Sequence, residues 1–331
     1  QPVRGGKVPG PSRVTLPALS GWRYARDEAE VEPSFDDSDW TRADRTNTSN
    51  PTPPVTLPVL YADDYGFHYG DVWYRGRFRG EAAGITLAAG TGRAGIWSAW
   101  LDGVPLGSIA TGTASGDQNS SGHFVFPAGL PASDASHVLA VLVRNMGHNE
   151  NGGSDDHHKA PRGLLSARLE TSRARLDWRL RGAGEKLTET LRGPQNNGGL
   201  HGERAGYALP GFADGAWKTV ALPHRDATPG IAWYRTTLRL ALPRDRDISL
   251  GLRFGDDPSR HYRVLIFVNG WNMGQLINDV GPQRVFTLPR GILQHQGDNT
   301  IALAVWSADA ESGGLGNVAL ELLGNYTTPP P

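Results

Sequence analysis

The chain has 331 residues, 33 basic and 34 acidic, for a formal charge of −1 and no block of like charges. That balance gives no reason to expect nucleic acid or a membrane surface as a partner. There is no cysteine, which excludes a disulfide framework and a thiolate metal site, and no run of about 18 apolar residues long enough to span a membrane. Gly and Pro together make up about a fifth of the chain, and ten Trp accompany them. This composition suits a turn-rich all-β protein, and the length suits two domains, each able to bury its own core.

In chain order, residues 1–12 are Gly/Pro-rich and aperiodic, as in a linker or tail. The chain opens on Gln1 and shows no signal peptide, which is expected of a processed or excised piece of a longer product. A short strand signal runs from Val14 to Tyr24, and Ala25 to Val31 has room for one helical turn. Phe35 to Trp40 reads as a tight acidic loop pinned by Trp40, and Asn47 to Pro58 as a proline-rich surface loop. Asp71 to Arg79 alternates in the manner of a half-buried strand. Trp97 to Ser108 is a hairpin with Asp102-Gly103 at its tip, followed by Phe124-Val-Phe-Pro127 and the apolar strand His137 to Arg144.

The second half repeats this order. Ala174 to Leu180 matches the opening at Trp22, Phe212 to Trp217 matches Phe35 to Trp40, and Ile231 to Arg239 matches Val72 to Arg79. Leu265 to Leu276 with Asn269-Gly270 matches the first hairpin, Arg284 to Leu288 carries the Phe286-Thr-Leu-Pro289 echo, and Asn299 to Trp306 matches His137 to Arg144. Correspondences in one order with drifting intervals describe an old duplication. The expected architecture is all-β: two tandem antiparallel jelly-roll sandwiches, at 13–170 and 171–331, the second ending in a short tail beyond residue 326.

Three features bear on chemistry. The polar stretch Asn145 to Pro161 concentrates His148, Glu150, Asp155, His157 and His158, but lacks the spacing of a known metal motif, so no metal or cofactor is expected. Trp73, Trp97, Trp100, Trp233 and Trp271 could stack sugar rings; those inside the repeated strands read as core, leaving Trp271, just after a turn, as the candidate platform. Carbohydrate contact is therefore assigned to Trp271, His148, Glu150, His157 and His158. No nucleophile elbow, phosphate loop, zinc-protease motif or recognisable pair of catalytic carboxylates is present. Asn47, Asn119 and Asn325 open glycosylation sequons, in stretches that read as loop or terminus.

Leu57 to Arg79, Arg144 to Gly163 with its Ala-Pro-Arg-Gly end, and Tyr262 to Trp306 with its Val-Asn-Gly and Ile-Asn-Asp-Val-Gly-Pro-Gln segments resemble the C-terminal jelly-roll (galactose-binding-like) region of secreted fungal β-galactosidases of glycoside hydrolase family 35. The resemblance runs from about residue 13 to Tyr326-Thr-Thr-Pro. It implies an extracellular protein whose retaining chemistry belongs to two glutamates of an N-terminal TIM barrel, so no catalytic residue transfers to this chain. Gly152 stands where relatives commonly have a tryptophan after Glu-Asn, which removes that stacking contact. Three readings follow: a non-catalytic portion supporting a barrel that cleaves terminal β-D-galactosides, a free-standing lectin-like protein that binds galactoside-containing carbohydrate, or an enzyme of other carbohydrate chemistry at 148–158.

Overall fold

A computed structural model describes residues 14–114, 118–130, 134–148, 159–184 and 198–327. Its frame is two six-stranded antiparallel sheets that meet face to face, each backed on its far side by a three-stranded sheet. Three apolar cores fill the gaps between these four layers.

Side-chain alternation builds the stack. In Gly70–Arg79, Val72, Tyr74 and Phe78 enter the outer core of the first half, while Trp73 points the other way into the middle core. In Gln296–Ser307, Ile301, Leu303 and Val305 enter the outer core of the second half, and Ala302, Ala304 and Trp306 enter the middle. A strand clothed on both faces loses the polar alternation of a solvent-facing one. This explains why Asp71 to Arg79, expected to be half-buried, is buried continuously from Asp71 to Gly76.

The duplication extends to backbone detail. Strands Ile96–Leu101 and Val104–Ala110 are joined by Asp102 at φ 49° and Gly103 at φ 82°, and Tyr262–Val268 and Trp271–Ile277 by Asn269 at φ 50° and Gly270 at φ 84°. Two consecutive positive φ values are the mark of the turn whose twist matches a hairpin, and Asp, Asn and Gly tolerate them best. Each hairpin carries one bulge at the equivalent place, between Ala99 and Trp100 and between Ile266 and Phe267. Each tip is tied to the neighbouring strand: Asp102 accepts from the Val138 N–H at 2.8 Å, and Asn269 accepts from the Thr300 N–H at 2.8 Å.

Several boundaries differ from the sequence reading. Val14 to Gly21 forms no strand, Ala25 to Val31 contributes only a 3-10 turn at Ala29–Val31, and the strand expected from Arg284 begins at Val285.

The opening strands of the two halves cross over. Trp22–Arg26 pairs with Gly230–Ala241 in the sheet of the second half, and Asp177–Arg181 pairs with Gly70–Arg79 in the sheet of the first. Gly76 makes the second docking possible, because a Cβ there would lie 2.9 Å from the Trp178 ring. Fragments 14–170 and 27–184 are nearly equal in length, but only the second contains every strand of its six-stranded sheet. In thermal melts followed by circular dichroism, 27–184 should unfold cooperatively and 14–170 should not; equal melts would contradict the exchange.

Candidate functional site

Two places concentrate polar chemistry: the seam where the six-stranded sheets meet, and the surface at the base of the His-rich stretch. The seam grows from segments that follow the exchanged strands. Asp27, just past Trp22–Arg26, accepts from Trp233 Nε1 at 2.8 Å and from the Gly202 N–H at 2.9 Å, and lies 3.1 Å from His201 Nδ1. Glu30 pairs with Arg204. Across the seam, Arg144 holds Asp71 through two hydrogen bonds of 2.7 and 2.8 Å while its guanidinium lies 5.2 Å from the Trp306 ring centre. Trp306 Nε1 donates to Ser98 Oγ at 2.8 Å, joining the halves directly.

Neither seam glutamate is fully bonded. Glu203, in the single helical turn His201–Arg204, accepts from the Leu200 N–H at 3.1 Å, but its Oε1 has no partner among the described residues, nor has Glu30 Oε2. Burial, reinforced by Asp27 and opposed by Arg204 and His201, pushes the Glu30 carboxyl up to about 7. Burial and the neighbouring Asp71, opposed by the backbone N–H groups of Leu200 and Gly198 and by Arg144, do the same to Glu203. A hydrogen bond to Asp27 raises His201 against the effect of its burial. Buried acids of this kind can be catalytic; here Glu30 and Glu203 are at most 1% exposed and are bonded within the joint between the sheets.

Two further buried arginines escape any motif search, because their signal is simply Arg in an apolar strand. Arg75 Nε donates to Asp37 at 2.7 Å and its guanidinium lies 5.3 Å from the Phe35 ring centre; Arg235 Nε donates to Asp214 at 3.0 Å and lies 5.2 Å from Phe212. Each arginine also reaches backbone carbonyls of the segment it pins, Glu30 and Glu32 for Arg75, Tyr207 and Leu209 for Arg235. The duplicated Phe-x-x-x-x-Trp loops are thus held by duplicated guanidinium clamps.

At the surface, Asp63 lies 2.9 Å from His68 Nδ1 and 2.9 Å from His148 Nε2, using one oxygen for each. Burial alone would raise the Asp63 carboxyl, but the hydrogen bonds from His148 and His68 outweigh it and hold it below the usual range. Glu150, His157 and His158, together with Gly152, lie outside the described residues. Trp271 is 39% exposed at the start of an edge strand; Trp73, Trp97, Trp100 and Trp233 are at most 4% exposed, which removes them as sugar platforms. Further along the same strand Gln275 meets Met146, two residues before His148. Among the described residues no group of three or more His, Asp or Glu could hold a metal ion.

The sequon asparagines are not all in loops. Asn47 is exposed in a loop, whereas Asn119 begins the edge strand Asn119–Val125 and Asn325 lies in the edge strand Asn317–Thr327, where it accepts from Arg246 at 3.2 Å. The edge position leaves one side of each strand unpaired, a setting that composition cannot distinguish from a loop.

Because the folded-state values of both seam glutamates lie above the ordinary 4.5, the native state keeps protons that the unfolded chain releases between about pH 4.5 and 7. Stability is therefore greatest toward the acid end of that window and is lost as pH rises through it, by up to roughly 3 kcal/mol per glutamate. His201, also raised, acts in the same direction. Chemical denaturation at pH 5 and pH 8 should show this decline, and Glu30→Gln with Glu203→Gln should flatten it.

A family model described as "Beta-galactosidase second all-beta domain" matches residues 35–149 and again 201–311. Over 309 residues, 91% of this chain, it is 39% identical to a probable β-galactosidase B of Sclerotinia sclerotiorum, and over 97% of its length 35% identical to a probable β-galactosidase C of Neosartorya fischeri. The chain spans about a third of the length of these curated relatives, 30% and 33% respectively. Among solved structures, a glycosyl hydrolase family 2 member from Bacteroides cellulosilyticus aligns with 88% of this chain and 31% of its own, at 14% identity and a TM-score of 0.25. A Pleurotus ostreatus lectin aligns with 98% of this chain and 89% of its own, at 15% identity and a TM-score of 0.21.

Proposed function

Since the chain belongs to the β-galactosidase second all-β domain family, with a match in each half, we propose that it is the non-catalytic β-sandwich portion of a family 35 β-galactosidase. In this reading a catalytic barrel of the same precursor hydrolyses terminal β-D-galactosides, and the interlocked sandwiches brace it. The observation that carries the proposal is 39% identity over nearly the whole chain to a probable β-galactosidase B of which this chain spans 30%. The disposition of the acids supports it: Asp27, Glu30, Asp71 and Glu203, the acids held in the seam, are at most 4% exposed. Glycoside hydrolysis needs two carboxyl groups facing an open site.

The same reading makes the protein extracellular and glycosylated, with Asn47 and Asn119 better acceptors than Asn325, whose amide oxygen is engaged by Arg246. The two sandwiches are interlocked units rather than beads on a string. Of the side chains assigned to carbohydrate contact, Trp271 and His148 are the two within the described residues, and both are exposed.

The purified chain and the full-length gene product should be incubated side by side with a chromogenic β-galactoside. The full-length enzyme should turn over and the chain should not. Turnover by the chain alone overturns the assignment, and so does an inactive full-length product that folds.

A further inference from the structure

A cleft of about 840 Å³ opens along the edge of the first sandwich, away from the seam. One wall is the end of the outer edge strand Gly163–Glu170, the other the inner strands Thr41–Arg42 and Asp177–Arg181, and the connector 171–176 runs between them. Buried Ala43, Leu60 and Trp178 form its floor, and Leu57, 62% exposed, stands on its lip.

The charge of the lining departs from that of the chain. Arg42, Arg168, Arg173 and Arg175 face only Asp44 and Asp177, in a molecule whose formal charge is −1. Arg42 pairs with Asp177 at 3.3 Å, in the open, where such a pair contributes little. Arg168, Arg173 and Arg175 are exposed, and their guanidiniums make no hydrogen bond or ion pair among the described residues. Alternation along the connector places Arg173 and Arg175 outward while Ala174 and Leu176 pack on the core.

We infer that this cleft binds an acidic oligosaccharide, a chain of uronate-bearing sugars. Guanidinium forks match carboxylates in two-point hydrogen bonds, and spaced forks along an open trough suit a chain with a carboxylate on each unit better than one compact anion. The apolar surfaces of Leu57, Pro58 and Leu176 supply contacts for the C–H faces of the rings. The volume lies within the range of ligand sites. The saccharide half of this inference rests on the glycoside-hydrolase reading above; the anionic half rests on the cleft itself.

Calorimetry with the whole chain at low salt tests it, using oligogalacturonate, a neutral galacto-oligosaccharide of equal length, and inorganic phosphate. Oligogalacturonate should bind, weaken as salt rises, and lose about tenfold or more in affinity in the Arg173→Ala/Arg175→Ala variant, roughly 1.4 kcal/mol. Both side chains are exposed, and an unchanged melting temperature will show the variant folded. The neutral oligomer should give no heat. Absence of oligogalacturonate binding at millimolar concentration, equal binding by the variant, or phosphate binding as tightly as the oligomer each overturns the inference. None of these outcomes bears on galactoside turnover by the full-length enzyme, so the two readings fail separately.

Discussion

The structure depends on burying the inner faces of the two six-stranded sheets against each other. Trp73, Trp100, Trp233 and Trp306 meet there with Leu142, Leu265 and Phe267, all at most 5% exposed. Each half has a second core of its own behind its sheet, and docking the inner faces together removes a further large apolar surface from water. The exchange of opening strands follows the same logic, because it carries chain across the seam twice and makes the contact covalent as well as apolar.

Charges inside that seam are retained at a cost in desolvation, and their arrangement shows what offsets it. Asp71 with Arg144 is bonded at both forks and capped by the Trp306 ring, and Asp27 satisfies three donors at once. Each of these groups belongs to one half and reads the position of the other. A misaligned pair of sheets would leave several ions unpaired, which penalises wrong registers more steeply than apolar packing can. Glu30, Glu203 and Arg144 each keep one side-chain atom without a partner among the described residues, and the raised values of the two glutamates couple the joint to pH.

Much of the fold was legible because β-hairpins write themselves locally. Asp102-Gly103 and Asn269-Gly270 announce their turns, and the repeated order of motifs announces the duplication before any contact is known. The Phe-x-x-x-x-Trp loops were legible as structure, but not the arginines that hold them: Arg75 and Arg235 look like the polar beat of an alternating strand and are in fact buried ions. The candidate site was less legible. Trp271 could be singled out by its place beside a turn, whereas the pairing of His148 and His68 through Asp63 joins residues 85 and 5 positions apart and has no pattern in the chain.

The amino-acid sequence by itself determined the all-β class, the two hairpins and the twofold repeat, since these rest on turn chemistry and side-chain period, which act over a few residues. Its resemblance to β-galactosidase portions likewise needed no coordinates. Which strand completes which sheet, which tryptophans are core, and which acids are locked in the seam were decided only by tertiary structure. Those outcomes depend on what packs against the second face of each strand, and no local pattern of alternation records whether that face meets water or another sheet.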